Sequence, residues 1–99
     1  MRLSSEQIST IRKLTSQIAG ASARVWLFGS RVRDDLRGGD VDLLIELDSE
    51  VLEPAHLSAR LAARVSRSMS GRRVDVLVRA PNLMHLPIHD VALAEGVLL

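Results

Sequence analysis

Apolar side chains recur at helical spacing in three stretches of the chain. The first covers residues 4–19, where Ser4 and Gln7 can form a capping box at the helix start. The second covers residues 54–70, where a stripe of apolar side chains lies opposite to a row of arginines. The third is shorter and covers residues 88–95. The pattern therefore predicts three amphipathic helices of unequal length.

Shorter apolar runs between these helices have the composition of β-strands. They cover residues 25–28, 40–47 and 73–78, and residues 97–99 can add an edge strand. A short helix or turn over residues 30–36 is predicted to connect the first two strands. This succession of elements predicts an α/β fold, with a small mixed sheet of three or four strands and helices packed mainly on one face.

Composition limits the size and class of the protein. We expect the 99 residues, 46% of them hydrophobic, to form one domain over residues 1–99, with a small core that a homo-oligomer or a partner chain can support. The absence of cysteine excludes disulfides and cysteine-based zinc sites. No apolar run is long enough for a membrane span or resembles a secretory signal, which predicts a cytoplasmic protein without a membrane partner.

Charged residues are distributed unevenly along the chain. Residues 1–37 contain seven basic and three acidic side chains, residues 38–54 contain six acidic and no basic ones, and residues 55–80 contain six basic and one acidic. An acidic block between basic segments is typical of a site that binds metal ions together with a polyphosphate. A solvated acidic loop explains the same pattern equally well. The charge pattern alone therefore does not decide between these two interpretations.

Two aspartates stand at the start of the second predicted strand. Asp40 and Asp42 share one face of that strand because side chains alternate, and Val41 points to the other face. Two neighbouring carboxylates repel each other unless a cation lies between them, and magnesium prefers carboxylate and phosphate oxygens as ligands. Asp40 and Asp42 are therefore candidate metal ligands and candidate catalytic residues.

Asp75 interrupts the third predicted strand, which otherwise consists of valine and leucine. A lone carboxylate in such a strand costs free energy unless it is paired. If the third strand lies beside the second, Asp75 joins Asp40 and Asp42 in a cluster that can hold two metal ions. A simpler interpretation places Asp75 at an exposed strand end or pairs it with Arg72 or Arg73.

Gly29 and Ser30 follow the first predicted strand and precede the short predicted helix or turn. Glycine lets the backbone approach a ligand closely, and amides at a helix start can bind phosphate oxygens. The Ser30 hydroxyl adds a further donor, and Arg31 can neutralise phosphate charge. Ordinary turns have the same composition, so only the position of these residues before the aspartate pair indicates nucleotide binding.

The stretch LFGSRVRDDLRGGDVDLLIEL resembles the signature of the minimal nucleotidyltransferases, the smallest members of the DNA polymerase beta-type nucleotidyltransferase superfamily. The segment RRVDVLV resembles the strand that carries the third acid of this family, and ALAEGVLL resembles the end of these small proteins. The resemblance implies the nucleotidyltransferase fold. It also implies that Gly29 and Ser30 contact the nucleotide phosphates, while Asp40, Asp42 and Asp75 hold two magnesium ions.

The same resemblance implies a reaction and a partner. The reaction is transfer of AMP, or another nucleoside monophosphate, from a nucleoside triphosphate such as ATP to a hydroxyl, with release of pyrophosphate. Many small relatives are antitoxins encoded beside a helical HEPN-domain ribonuclease toxin, and some attach AMP to a tyrosine of that toxin. We therefore expect a magnesium-dependent antitoxin that adenylylates a HEPN-type toxin encoded nearby, and no nucleic-acid partner is indicated.

Two alternatives to this function are compatible with the sequence. The first is a non-catalytic binding module that has the same fold and neutralises its partner by contact. The second is a transferase that acts on a small molecule or on an RNA end. The presence of all three aspartates favours catalysis, because a pure binding module has no reason to retain a repulsive carboxylate cluster.

Overall fold

The computed structural model describes residues 3–29 and 40–99. These residues form three helices and four strands, in the chain order α1 Ser5–Ala19, β1 Arg24–Phe28, β2 Val41–Glu46, α2 Pro54–Ser68, β3 Val74–Arg79, α3 Pro87–Glu95 and β4 Val97–Leu98. The three predicted helices and the four predicted strands are confirmed, with ends within two residues of the prediction. The short helix or turn predicted over residues 30–36 lies outside the described residues.

Local interactions explain where the long helices begin and end. The Ser4 hydroxyl accepts a hydrogen bond from the Gln7 amide at 3.0 Å, and the Gln7 side chain accepts one from the Ser4 amide at 2.9 Å. This is the capping box predicted for α1. Helix α2 is capped at Met69 instead of continuing to residue 70, because Ser70 and Gly71 both have positive φ. No helix within the described ranges is long and apolar enough to cross a membrane.

The four strands form one mixed sheet in the order β3-β2-β1-β4. Strand β1 pairs antiparallel with β2 and with β4, whereas β2 pairs parallel with β3. Parallel neighbours require a crossover connection, which α2 provides between β2 and β3. The sheet confirms the predicted α/β fold class.

Helices α1 and α2 cover one face of the sheet. The hydrophobic core on this face consists of Ile11, Leu14, Val25, Leu27, Val41, Leu43, Ile45, Leu61, Val65, Met69 and Val74. Because side chains alternate along a strand, Asp42, Leu44 and Glu46 of β2 point to the opposite face. Helix α3 contributes His89 to a cavity that Glu46 also lines, so α3 lies beside that second face. Two of the three helices therefore share one face, as predicted.

Candidate active site

Asp42 and Asp75 are direct neighbours on the sheet face opposite to the core. The parallel pairing of β2 and β3 sets Asp42 beside Asp75 in register. Both side chains point away from the neighbouring core valines, since residues on adjacent strands in register share a face. Asp42 is half-buried, and the Asp75 side chain is 51% exposed. The structure thus brings together two of the predicted site residues from segments more than thirty positions apart.

Asp40 lies at the edge of this arrangement. The prediction placed it inside the second strand, but β2 begins one residue later, at Val41, and Asp40 is exposed. Because Asp40 precedes the first residue of β2, its place on the same face as Asp42 remains a prediction from the sequence. Its negative charge nevertheless contributes to the raised pKa of the Asp42 carboxyl.

The Asp42 carboxyl has a pKa above its ordinary value of 3.8. Burial is the main cause, and the negative charges of Asp75 and Asp40 raise this pKa further, while Arg73 lowers it. The Arg73 Nε atom lies 3.6 Å from Oδ2 of Asp75. Asp75 is thus paired with an arginine that directly precedes its strand. Asp42 has no ion pair within residues 3–29 and 40–99. Asp75 is half exposed and paired with Arg73, as the simpler interpretation expected, and it also lies beside Asp42.

We expect that removing the charge of Asp42 stabilises the protein in the absence of metal. A raised folded-state pKa means that the folded protein retains its proton more strongly than the unfolded chain does. Stability therefore falls as the pH rises through the range just above 3.8. Asp42→Asn should melt at a higher temperature than the wild type at neutral pH. The difference should disappear on acidification below the ordinary carboxyl pKa, which thermal unfolding at a series of pH values measures.

Asp48→Asn provides a control of opposite sign. Hydrogen bonds and charge from Arg24 lower the pKa of the exposed Asp48 carboxyl. Its ionised form therefore stabilises the folded state above the ordinary carboxyl pKa, and that contribution is lost as the pH falls. The Asp48→Asn variant should melt below the wild type at neutral pH. A lower melting temperature for Asp42→Asn under the same conditions would contradict the described electrostatics of Asp42.

Gly29 has no side chain, and the Asp42 carboxylate occupies the space that a Cβ atom would need there. Gly29 follows Phe28, which pairs with Asp42 across β1 and β2, and it has a φ of +76°. A Cβ atom at this position would overlap Oδ2 of Asp42 and lie 3.1 Å from its Cγ. The sequence linked Gly29 only to phosphate binding. This steric relation to Asp42 was missed because it depends on the strand register, which no local signal in the sequence specifies.

Ser30 and Arg31, the other two predicted nucleotide-binding residues, lie outside the described residues. Gly29 is exposed at the end of β1 and adjoins them in the chain. Their contacts with nucleotide phosphates therefore remain predictions from the sequence, as does the phosphate contact of Gly29.

The aspartates have the donor chemistry of a magnesium site. Carboxylate oxygens are ligands that magnesium prefers, and a cation beside Asp42 would relieve the repulsion that raises its pKa. In the described part of the chain, however, no group of three or more histidine, aspartate or glutamate side chains is arranged to hold a metal ion. The adjacent pair Asp42 and Asp75 has the ligand chemistry for a metal ion, and the charge of Asp40 acts on Asp42.

A separate cavity of about 570 Å³ lies at the other end of β2, away from these aspartates. Its central group is Glu46, whose side chain is 14% exposed. Glu46 accepts hydrogen bonds from Trp26 Nε1 at 2.7 Å, from Arg24 Nε at 3.2 Å and from Arg79 Nη1 at 3.2 Å. These bonds connect three strands and pair the Glu46 carboxylate with two guanidinium groups. We therefore place the candidate site at the aspartates and not in this cavity.

A comparison with known protein families indicates a transferase domain. No curated protein shows similarity to the chain. The family model described as a nucleotidyltransferase domain matches residues 8–95, a range that includes Gly29 and the three aspartates. The three helices and the four-stranded mixed sheet are consistent with the nucleotidyltransferase fold. Because the match covers most of the sequence, the chain belongs to the nucleotidyltransferase domain family.

Proposed function

We propose that the protein is a magnesium-dependent nucleotidyltransferase that moves AMP from ATP to a hydroxyl group of another protein. Membership of the nucleotidyltransferase domain family supports a transferase that uses a nucleoside triphosphate. The observation that supports the catalytic assignment best is the register of β2 and β3, which puts Asp42 beside Asp75 on the sheet face opposite to the core. Two adjacent carboxylates with no ion pair to Asp42 in the described chain make a suitable cation site.

Asp40, Asp42 and Asp75 are the residues that would hold magnesium in this proposal. A bound ion would neutralise charge on the phosphates and lower the pKa of the attacking hydroxyl. Gly29, Ser30 and Arg31 form the phosphate-binding segment of the proposal. In this assignment Gly29 serves twice, because the same absent side chain opens the backbone to phosphate and leaves room for Asp42.

The proposed reaction is an in-line displacement at phosphorus. The acceptor hydroxyl oxygen forms a bond to the α-phosphorus of ATP, and the bond from that phosphorus to the oxygen bridging to the β-phosphate breaks. Pyrophosphate leaves with the electron pair of the broken bond, and the hydroxyl proton passes to a carboxylate. We assign this proton to Asp75, because its half-exposed side chain is accessible to an incoming acceptor and adjoins Asp42.

We also propose a biological role as an antitoxin. The support is the resemblance of the Gly-Ser and Asp-x-Asp segments to those of minimal nucleotidyltransferases, many of which act as antitoxins against HEPN-type toxins. The proposed acceptor is then a tyrosine hydroxyl of a HEPN-domain toxin encoded nearby. Sequencing of the neighbouring reading frame tests the genetic part of this role directly.

Ligand-induced stabilisation tests the nucleotide site itself. Magnesium together with ATP should raise the melting temperature of the wild type, because a ligand that binds only the folded state adds about 2.7 kcal/mol at a hundredfold excess over its dissociation constant. The Asp42→Asn variant should lose this ligand-induced shift. Each variant is compared with its own ligand-free sample, since Asp42→Asn is expected to change the starting temperature.

Asp48→Asn serves as the control in this experiment. It removes an exposed carboxylate from the end of the sheet that carries Arg24 and Glu46, so its shift with ATP should equal that of the wild type. An equal shift in Asp42→Asn and in the wild type would place the nucleotide elsewhere on the molecule and would refute this site.

A non-catalytic binding module is the second candidate. The observation that favours it is the lack of a three-ligand metal cluster within the described residues. Such a module would neutralise its partner by contact and would not modify it. The mass of the partner distinguishes the two candidates, because only a transferase adds a nucleotide.

A further inference from the structure

Strand β3 is an edge strand of the sheet that the described residues form. In the strand order β3-β2-β1-β4 it has β2 on one side, and no other strand of the described chain pairs with its outer side. An unpaired strand of this length offers a row of free amide and carbonyl groups to another strand. The edge therefore has the chemistry of an interface for another extended chain.

The hydrogen bonds to β2 determine which backbone groups of β3 are free. The Val41 amide donates to the Arg73 carbonyl and the Leu47 amide donates to the Arg79 carbonyl, each at 2.9 Å. In a parallel ladder, alternate residues bond to the same neighbour, so the odd-numbered residues of β3 face β2. The groups that point outward are then those of Val74, Val76 and Val78.

We propose that β3 pairs antiparallel with the β3 of a second copy of this chain, about a twofold axis through Leu77. In this register Val76 and Val78 exchange hydrogen bonds with the partner, which uses the outward groups of the edge. Asp75 then lies directly opposite the partner's Arg79, and by symmetry Arg79 lies opposite the partner's Asp75. The Asp75 and Arg79 side chains are 51% and 41% exposed, so both are accessible to such a partner.

Registers centred on the two residues before Leu77 are disfavoured by charge, and registers centred between two residues are disfavoured by hydrogen bonding. An axis between two residues would set outward-facing residues against inward-facing ones, which leaves the edge groups unpaired. An axis through Val76 sets Arg73 opposite the partner's Arg79, and an axis through Asp75 sets this carboxylate opposite the partner's Asp75. Like charges directly opposite each other destabilise a strand pair. The edge is therefore self-complementary in the register centred on Leu77, as an isologous dimer interface requires.

The proposed dimer interface adjoins the candidate site, but the dimer does not depend on the proposed reaction. Asp75 is the outer acid of the site, so each copy would place a guanidinium beside the acids of the other. The proposal thus goes beyond the proposed function, and a failure of one does not imply a failure of the other.

Sedimentation velocity of the full chain, without nucleotide or metal, tests the interface. The wild type should dimerise reversibly as its concentration increases. Arg79→Asp and Asp75→Arg should each weaken dimerisation by about tenfold or more, because each sets like charges opposite one another. The double variant Arg79→Asp with Asp75→Arg restores opposite charges and should recover the dimer. Circular dichroism checks that every variant is folded, since Arg79 also pairs with Glu46.

Two lysine substitutions on opposite edges complete the test. Leu77→Lys sets two ammonium groups together at the axis and should dissociate the dimer. Leu98→Lys changes an exposed leucine of β4, on the other edge, and should leave the dimer intact. A wild type that sediments as a monomer throughout overturns the proposal. So does a dimer that Leu98→Lys dissociates, or a double charge variant that fails to recover association.

Discussion

Replacing Asp75 by asparagine is expected to abolish the transfer of AMP to the partner protein, with a loss of about a thousandfold or more in rate. Asparagine cannot accept the hydroxyl proton and is a weaker ligand for a divalent cation. The fold should persist, because the Asp75 side chain is half exposed and the change keeps its size. The measurement is the intact mass of the co-purified partner after co-expression with the wild type or with Asp75→Asn.

The wild type should raise the mass of the partner by one AMP unit, and Asp75→Asn should leave that mass unchanged. Asp48→Asn is the matched control, since it neutralises an exposed aspartate that lies outside the acid site and should retain full transfer. A partner that is neutralised by both the wild type and Asp75→Asn, without added mass in either sample, would replace the transferase proposal with contact masking.

A second large effect is expected at Gly29. An alanine Cβ at this position would overlap the carboxylate of Asp42, and the end of a short side chain can move aside. The consequence is therefore a displaced Asp42 carboxylate in a folded protein. Displacement of a catalytic group by about 1 Å can cost about a hundredfold in rate. Gly29→Ala should reduce AMP transfer by about this factor, as measured with labelled ATP and the same partner.

Gly71→Ala separates backbone strain from displacement of Asp42. Gly71 has a φ of +83°, close to the +76° of Gly29, but no atom lies within 4 Å of a Cβ added there. Both alanine variants should lose about 1–2 kcal/mol of stability, because a side chain is strained at positive φ. Only Gly29→Ala should lose transfer. Equal losses of transfer in the two variants would assign the effect to strain, and full transfer in Gly29→Ala would mean that Gly29 does not position Asp42.

Local patterns in the sequence predicted the helices and strands that the structure describes, and they identified the candidate site residues. The capping box of Ser4 and Gln7 predicted the start of α1, because helix capping and hydrophobic periodicity are local properties of a chain. The acids and the Gly-Ser pair could be identified as candidate residues for the same reason. The sequence also indicated that Asp75 would join the other acids if β3 lay beside β2. A lone carboxylate in an apolar strand costs free energy unless it is paired.

The relative positions of these residues follow from strand order and register, which are properties of the folded chain. The register of β2 and β3 puts Asp42 beside Asp75, and the register of β1 and β2 puts Gly29 against the same carboxylate. It also leaves Asp40 outside the strand and sets Arg73 beside Asp75. Strand order and register depend on how α1 and α2 bury the valines and leucines of the sheet, an interaction between distant segments that local patterns do not encode.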